Sequence, residues 1–164
     1  MAVLASPIAR LCNLSLSTGV FPDMFKQAII HPVFKGNGKN PHDPNSYRPI
    51  SILHSLSKIL EKAVREALLD WFELKKFFPD SQFGFLPGRS VTMALACAQT
   101  DWIEAKSCGD TVGVIAFDLS SAFDTIDSSA LLAKLQSTGI TGKPLKWFRS
   151  YMSGCLRRSS GMTH

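Results

Sequence analysis

A chain of 164 residues, 45% hydrophobic and 19% charged, is long enough to build one domain with its own core, which excludes the disordered and low-complexity classes. No apolar run reaches the roughly 18 residues of a membrane span, and Arg10 comes too early for a signal-peptide apolar region, so an intracellular protein (cytoplasmic or nuclear) is expected. Eighteen Lys and Arg against thirteen Asp and Glu leave a net charge of +5, which suits a polyanionic partner as well as it suits solvated helix faces.

The first helix is predicted from Ser6 as N-cap and Pro7 at the first position, with Ile8, Leu11, Cys12 and Leu16 on its apolar side and Gly19 as its stop. Ala28 to Phe34 and Tyr47 to Leu53 read as strands, and Pro32 and Pro49 make both edge-like. The Gly-, Asn- and Pro-rich stretch from Gly36 to Asn45 joins them as a finger with a basic tip. A long helix is expected from Ser55 to about Leu74, where Leu56, Ile59, Leu60, Ala63, Val64, Ala67, Leu68, Trp71 and Phe72 recur at three–four spacing. Phe77 to Arg89 is a loop or short strand, and a helix from Ser90 to about Lys106 follows. The apolar run Thr111 to Leu119 has strand length and is expected to be a buried strand. Two helices close the chain: one capped by Ser128 and ending at Gly139, one opening at Pro144 and ending at Gly154 with Trp147, Phe148 and Tyr151 inside. The order is that of an α+β protein.

Charge is unevenly placed. Lys26, Lys35, Lys39, Arg48, Lys58 and Lys62 face only Asp43 and Glu61 in their stretch, and Lys134, Lys143, Lys146, Arg149, Arg157 and Arg158 face no acid at all. The cysteines (Cys12, Cys97, Cys108, Cys155) form no CxxC pair, which argues for reduced thiols over a zinc knuckle or a disulfide framework. Gly36-Asn37-Gly38-Lys39 lacks the spacing of a phosphate loop, and His31, His42, His54 and His164 lack metal-ligand spacing. Asp118 closes the apolar run of the expected strand, where a carboxylate needs either a divalent cation or hydrogen-bond donors. It is therefore either a metal ligand or the N-cap of the next helix. Phe123 either returns beside whatever Asp118 holds or packs in the core, and Asp124 and Asp127 read as supporting or helix-start acids.

Five blocks in order resemble the reverse transcriptase domain of non-LTR, LINE-like retrotransposons. They are Gly19-Val20-Phe21-Pro22 with Phe25-Lys26; Pro32-Val33-Phe34-Lys35-Gly36; and Tyr47-Arg48-Pro49-Ile50-Ser51-Ile52 with Ser57-Lys58-Ile59-Leu60-Glu61-Lys62. Next come Gln82-Phe83-Gly84-Phe85 with Gly88-Arg89-Ser90, and Phe117-Asp118-Leu119-Ser120-Ser121-Ala122-Phe123-Asp124-Thr125-Ile126-Asp127. The resemblance covers about Leu14 to Arg158. It implies a partial right-hand polymerase fold: a fingers hairpin and finger–palm helices over about 1–110, and an incomplete palm sheet from about 111 to 164. It also implies an RNA-directed DNA polymerase working by two-metal nucleotidyl transfer on an RNA template, a DNA primer and deoxynucleoside triphosphates.

Carried over position by position, Asp118 matches the first catalytic aspartate and the carbonyl of Leu119 a further magnesium ligand. Arg48 and Lys58 match residues near the incoming triphosphate, and Phe123 matches the residue that excludes a 2′-hydroxyl. Lys35 and Arg89 match contacts to nucleic-acid phosphates. The chain departs from the family in lacking any Asp-Asp pair and the Pro-Gln-Gly block, and in having Ser128 where a histidine is usual. A chain inactive by itself is therefore expected, with weak or absent magnesium binding, marginal stability and exposed apolar edges. The alternative is a non-catalytic nucleic-acid-binding remnant of a retroelement. A phosphotransferase using Asp118 as nucleophile is disfavoured by Ser120 in place of a second aspartate.

Overall fold

The computed structural model describes residues 4–119, 122 and 125–153, and the backbone of 157–159. In chain order its elements are α1 (Ala5–Thr18), β1 (Ala28–Phe34), β2 (Tyr47–Ile52), α2 (Ser55–Leu74), α3 (Val91–Ser107), α4 (Ser128–Ser137), α5 (Gly142–Met152) and β3 (Arg157–Ser159), so the chain is α+β. It divides into two compact units, one made of the described residues of 1–64 and 123–164, the other of those of 65–122.

The first unit is built around an aromatic core. Phe21, Phe25, Leu60 and Trp147 are buried together, with Leu11, Cys12, Leu56, Val64 and Phe148 packed against them. Phe21 meets Trp147 edge-on at 5.4 Å and Tyr151 at 4.9 Å, the arrangement that the ring quadrupoles favour. A short polar chain crosses this core: Trp147 Nε1 donates to Ser15 Oγ at 2.9 Å, and Ser15 Oγ donates to the carbonyl of Val20 at 2.7 Å. Both groups are thereby satisfied where water does not reach. Phe21 N donates to Ser150 Oγ, and Lys146 Nζ to the Thr18 carbonyl, so α5 closes the end of α1.

Gly19 makes that closure possible. Its φ of 65° is left-handed, and a Cβ there would lie 2.9 Å from the Lys143 carbonyl oxygen. The Gly19-Val20-Phe21-Pro22 block is thus a helix stop followed by a core anchor. α1 begins at Ala5 without a side-chain cap, not at a Ser6 cap. Pro7 still falls in the first turn, where its missing N–H has no intrahelical partner to lose.

β1 and β2 pair antiparallel, with Val33 opposite Arg48 and Pro32 opposite Pro49, and β3 runs parallel along the first residues of β1. Lys35 N donates to the Ser46 carbonyl at 2.8 Å, which marks their pair as a hydrogen-bonded one. Alternation then makes Pro32–Pro49 a non-hydrogen-bonded pair, so the prolines cost no bonds between these two strands. Pro32 instead presents its nitrogen on the β3 flank, two residues beyond the last described β1–β3 pair, Ile30–Ser159. β1 is therefore central over its first half, not an edge strand throughout.

In the second unit, Phe72 is buried at the end of α2 and stacks on Phe77 at 4.6 Å and edge-on to Phe78 at 5.4 Å. α3 is capped by Ser90, whose Oγ accepts from Met93 N. None of its residues is buried.

The expectation of a buried strand over Thr111 to Leu119 is overturned. Among the described residues the segment has no ladder partner, and Val114, Ile115, Phe117 and Leu119 are exposed, Phe117 by 91%. An apolar run becomes a strand only when neighbours fill its hydrogen bonds and cover its faces, and the described sheet, of order β2-β1-β3, takes no strand from this stretch. The expected exposed apolar surface is present here.

Candidate nucleotide and nucleic-acid site

Lys35 leaves β1 half-buried, and its Nζ donates to the Asn45 carbonyl at 2.7 Å, tying the two ends of the loop together. Asp43 accepts from Asn45 N, and Tyr47 Oη donates to the Pro41 carbonyl at 2.9 Å. Gly36, Asn37 and Gly38 all have positive φ, which turns the chain tightly at the tip. On β2, Arg48 is exposed opposite Val33.

Lys58 lies in the first turn of α2 and is exposed, while its neighbour Ser57 is fully buried and donates to the His54 carbonyl. His54 stacks on Phe25 at 5.4 Å and accepts from Leu56 N. The structure brings Lys35 and Arg48 onto one hairpin and places Lys58 in the same unit.

Arg89 lies in the second unit and spends its donors locally. Its Nη1 donates to the carbonyls of Pro79 (3.3 Å) and Gln82 (2.8 Å) and to that of Asp80, and the guanidinium lies 5.8 Å from the centre of the Phe83 ring. All three bonds leave from one terminal nitrogen. In Gln82-Phe83-Gly84-Phe85 with Gly88-Arg89-Ser90, the arginine thus holds the loop and the serine starts the helix. Phe85 has a φ of 64° and is 86% exposed, and Arg65 Nη2 reaches its carbonyl at 3.5 Å.

Asp118 is exposed in the irregular segment between Phe117 and Leu119, in the unit that holds Arg89. Phe123 and Asp124 lie outside the described residues, as do Gly154 and Cys155. Asp127 is the cap of α4, where Ser128 was expected to serve. Its Oδ1 accepts from Ser129 N (2.6 Å), Ser129 Oγ (2.6 Å) and Ala130 N (3.1 Å). The Ser129 hydroxyl, then the Ala130 and Ser129 amides, hold this carboxyl below its ordinary 3.8. An aspartate directly before a serine pair and a leucine-rich run is a cap signal equal to Ser128's own, so sequence alone left the choice between neighbours.

Magnesium takes oxygen ligands, usually one or two carboxylates with phosphates and waters. Among the described residues no three of His, Cys, Asp and Glu gather, so these residues do not themselves make a metal cage. Nor, among them, is any helix long and apolar enough to cross a membrane.

Residues 35–163 match the family model for reverse transcriptase (RNA-dependent DNA polymerase). The chain belongs to that family, and its relatives place it with the LINE-like elements. It is 32% identical over 129 residues to "Probable RNA-directed DNA polymerase from transposon BS" of Drosophila melanogaster, and 34% identical over 127 residues to the RNA-directed DNA polymerase from mobile element jockey of the same species. It is also 30% identical over 150 residues to "Probable RNA-directed DNA polymerase from transposon X-element", again of Drosophila melanogaster. These alignments take in 79%, 77% and 90% of the chain but only 14%, 14% and 16% of the respective relatives.

Proposed function

We propose that this chain supplies the fingers hairpin and the first catalytic carboxylate of an RNA-directed DNA polymerase. The observation that carries the reading is the family match over 35–163, which takes in Arg48, Lys58 and the Phe117-Asp118-Leu119 block together. In this reading Arg48 and Lys58, both exposed, offset the charge of the incoming triphosphate. Asp118 and the Leu119 carbonyl are this chain's contribution to a magnesium site, and Phe123 discriminates against ribose. Lys35 holds the hairpin that presents Arg48, with its neighbourhood facing template or primer phosphates. Arg89 acts one step removed, by shaping its loop.

The chain of 164 residues contains no Asp-Asp pair, so we infer that it does not polymerise by itself. The test is magnesium-dependent incorporation of deoxynucleotides on a primed RNA template. This chain alone gives none. A longer polypeptide of the element that carries an aromatic-x-Asp-Asp block gives synthesis, and Asp118→Asn in that polypeptide abolishes it. Robust synthesis by the 164-residue chain, or by the Asp118→Asn polypeptide, refutes the reading.

A further inference from the structure

We propose that His54 is a positioning residue for the nucleotide site: it fixes the start of α2 and, through it, the ammonium of Lys58. That role rests on the proposed contact between Lys58 and the incoming triphosphate. Only Leu53 and His54 separate β2, which carries Arg48, from α2, which carries Lys58. His54 is therefore the joint between these two exposed cations.

The joint is held from both sides. The imidazole stacks on Phe25 at 5.4 Å with the ring planes 28° apart, and Phe25 is buried in the aromatic core. Toward the helix, His54 Nδ1 accepts from Leu56 N at 3.3 Å, and the His54 carbonyl accepts from Ser57 N at 3.0 Å and from Ser57 Oγ at 2.7 Å. One residue thus satisfies two of the amides that a helix start leaves without intrahelical partners, and the buried Ser57 hydroxyl as well. Ser57 and Leu60, three positions apart and both fully buried, set the rotation of α2, and Lys58 is exposed beside them.

The first turn needs this hold. It contains no acid, and a cation within it opposes the helix dipole. A ligand of Lys58 meets only the fraction of molecules whose first turn is wound, so apparent affinity falls with that fraction. An acceptor at the position before the helix raises it.

The test is nucleotide incorporation on a primed RNA template by the longer polypeptide of the element that carries an aromatic-x-Asp-Asp block, with the deoxynucleotide varied. His54→Phe keeps a ring against Phe25 but removes the acceptor. It is expected to raise KM for the deoxynucleotide about fivefold, with kcat changed by less than about twofold. His54→Asn restores an acceptor and returns KM to within about twofold of the parent. Lys58→Gln also raises KM, and adding His54→Phe to it raises KM no further, because His54 acts through Lys58. In the 164-residue chain, His54→Phe accelerates amide exchange at Leu56 and Ser57 about fivefold and leaves α1 and α5 unchanged. Multiplied effects in the double variant, an asparagine variant as impaired as the phenylalanine one, or unchanged KM or exchange in His54→Phe overturns the proposal and leaves the polymerase reading standing. An unchanged KM in Lys58→Gln instead strikes the contact between Lys58 and the triphosphate, and this proposal with it.

Discussion

Gly19→Ala tests the closure of α1 by α5. The substitution places a Cβ at a φ of 65°, which costs an L-residue about 1–2 kcal/mol. It also brings that Cβ to 2.9 Å from the Lys143 carbonyl oxygen, a backbone atom that cannot rotate away. Moving the start of α5 to relieve this disturbs Trp147 and Phe148 and falls in the overpacking range of about 1–3 kcal/mol. The sum is about 2–5 kcal/mol. Gly38→Ala is the matched control: φ is 72°, and nothing lies within 4 Å of the added carbon. Both variants reduce unfolded-chain entropy equally, so that contribution cancels in the comparison. Urea titrations of the full chain, read by amide exchange in α1 and α5, should place Gly19→Ala about 1–3 kcal/mol below Gly38→Ala. Equal destabilisation within about 0.5 kcal/mol refutes the close approach as the reason for glycine here.

Two further outcomes follow from side chains already described. The folded pKa of Asp127 is depressed, so the stability it contributes is present above its ordinary 3.8 and disappears as pH falls through the lower folded value. The difference between the parent chain and Asp127→Asn should therefore shrink on acidification below about pH 4, and a constant difference down to about pH 2 contradicts the cap assignment. Arg89→Ala removes the one nitrogen that bonds three carbonyls, so chymotryptic cleavage near Phe83 and Phe85 should accelerate about tenfold with helix content unchanged. Unaltered cleavage removes the clamp.

The sequence carried the elements whose signals are local. The three–four spacing from Leu56 to Phe72 marked α2 at its observed bounds, Gly19 stopped α1, and Ser90 capped α3. Two strands and their connecting loop were visible because apolar runs flank a stretch of glycine and asparagine. What local signals do not carry is partnership. Thr111 to Leu119 has the composition of a buried strand, yet burial depends on neighbours that no residue within the run can provide. The role of Arg89 was equally hidden, because three carbonyl acceptors in a loop leave no side-chain signature. For the candidate site, Asp118, Arg48 and Lys58 were legible as chemistry through the order of five blocks. Ser15 was not singled out, since its bond to Trp147 spans 132 positions.

The facing prolines of the hairpin also bear on self-association. Pro49 turns its nitrogen outward along the margin of β2 that no described strand covers, so a foreign strand docking there would meet a missing donor at the middle of the row. Pro32 leaves the same gap on the opposite flank, two residues beyond the Ile30–Ser159 pair. An arm rich in isoleucine, valine and phenylalanine is thereby kept from recruiting further copies into a growing ribbon.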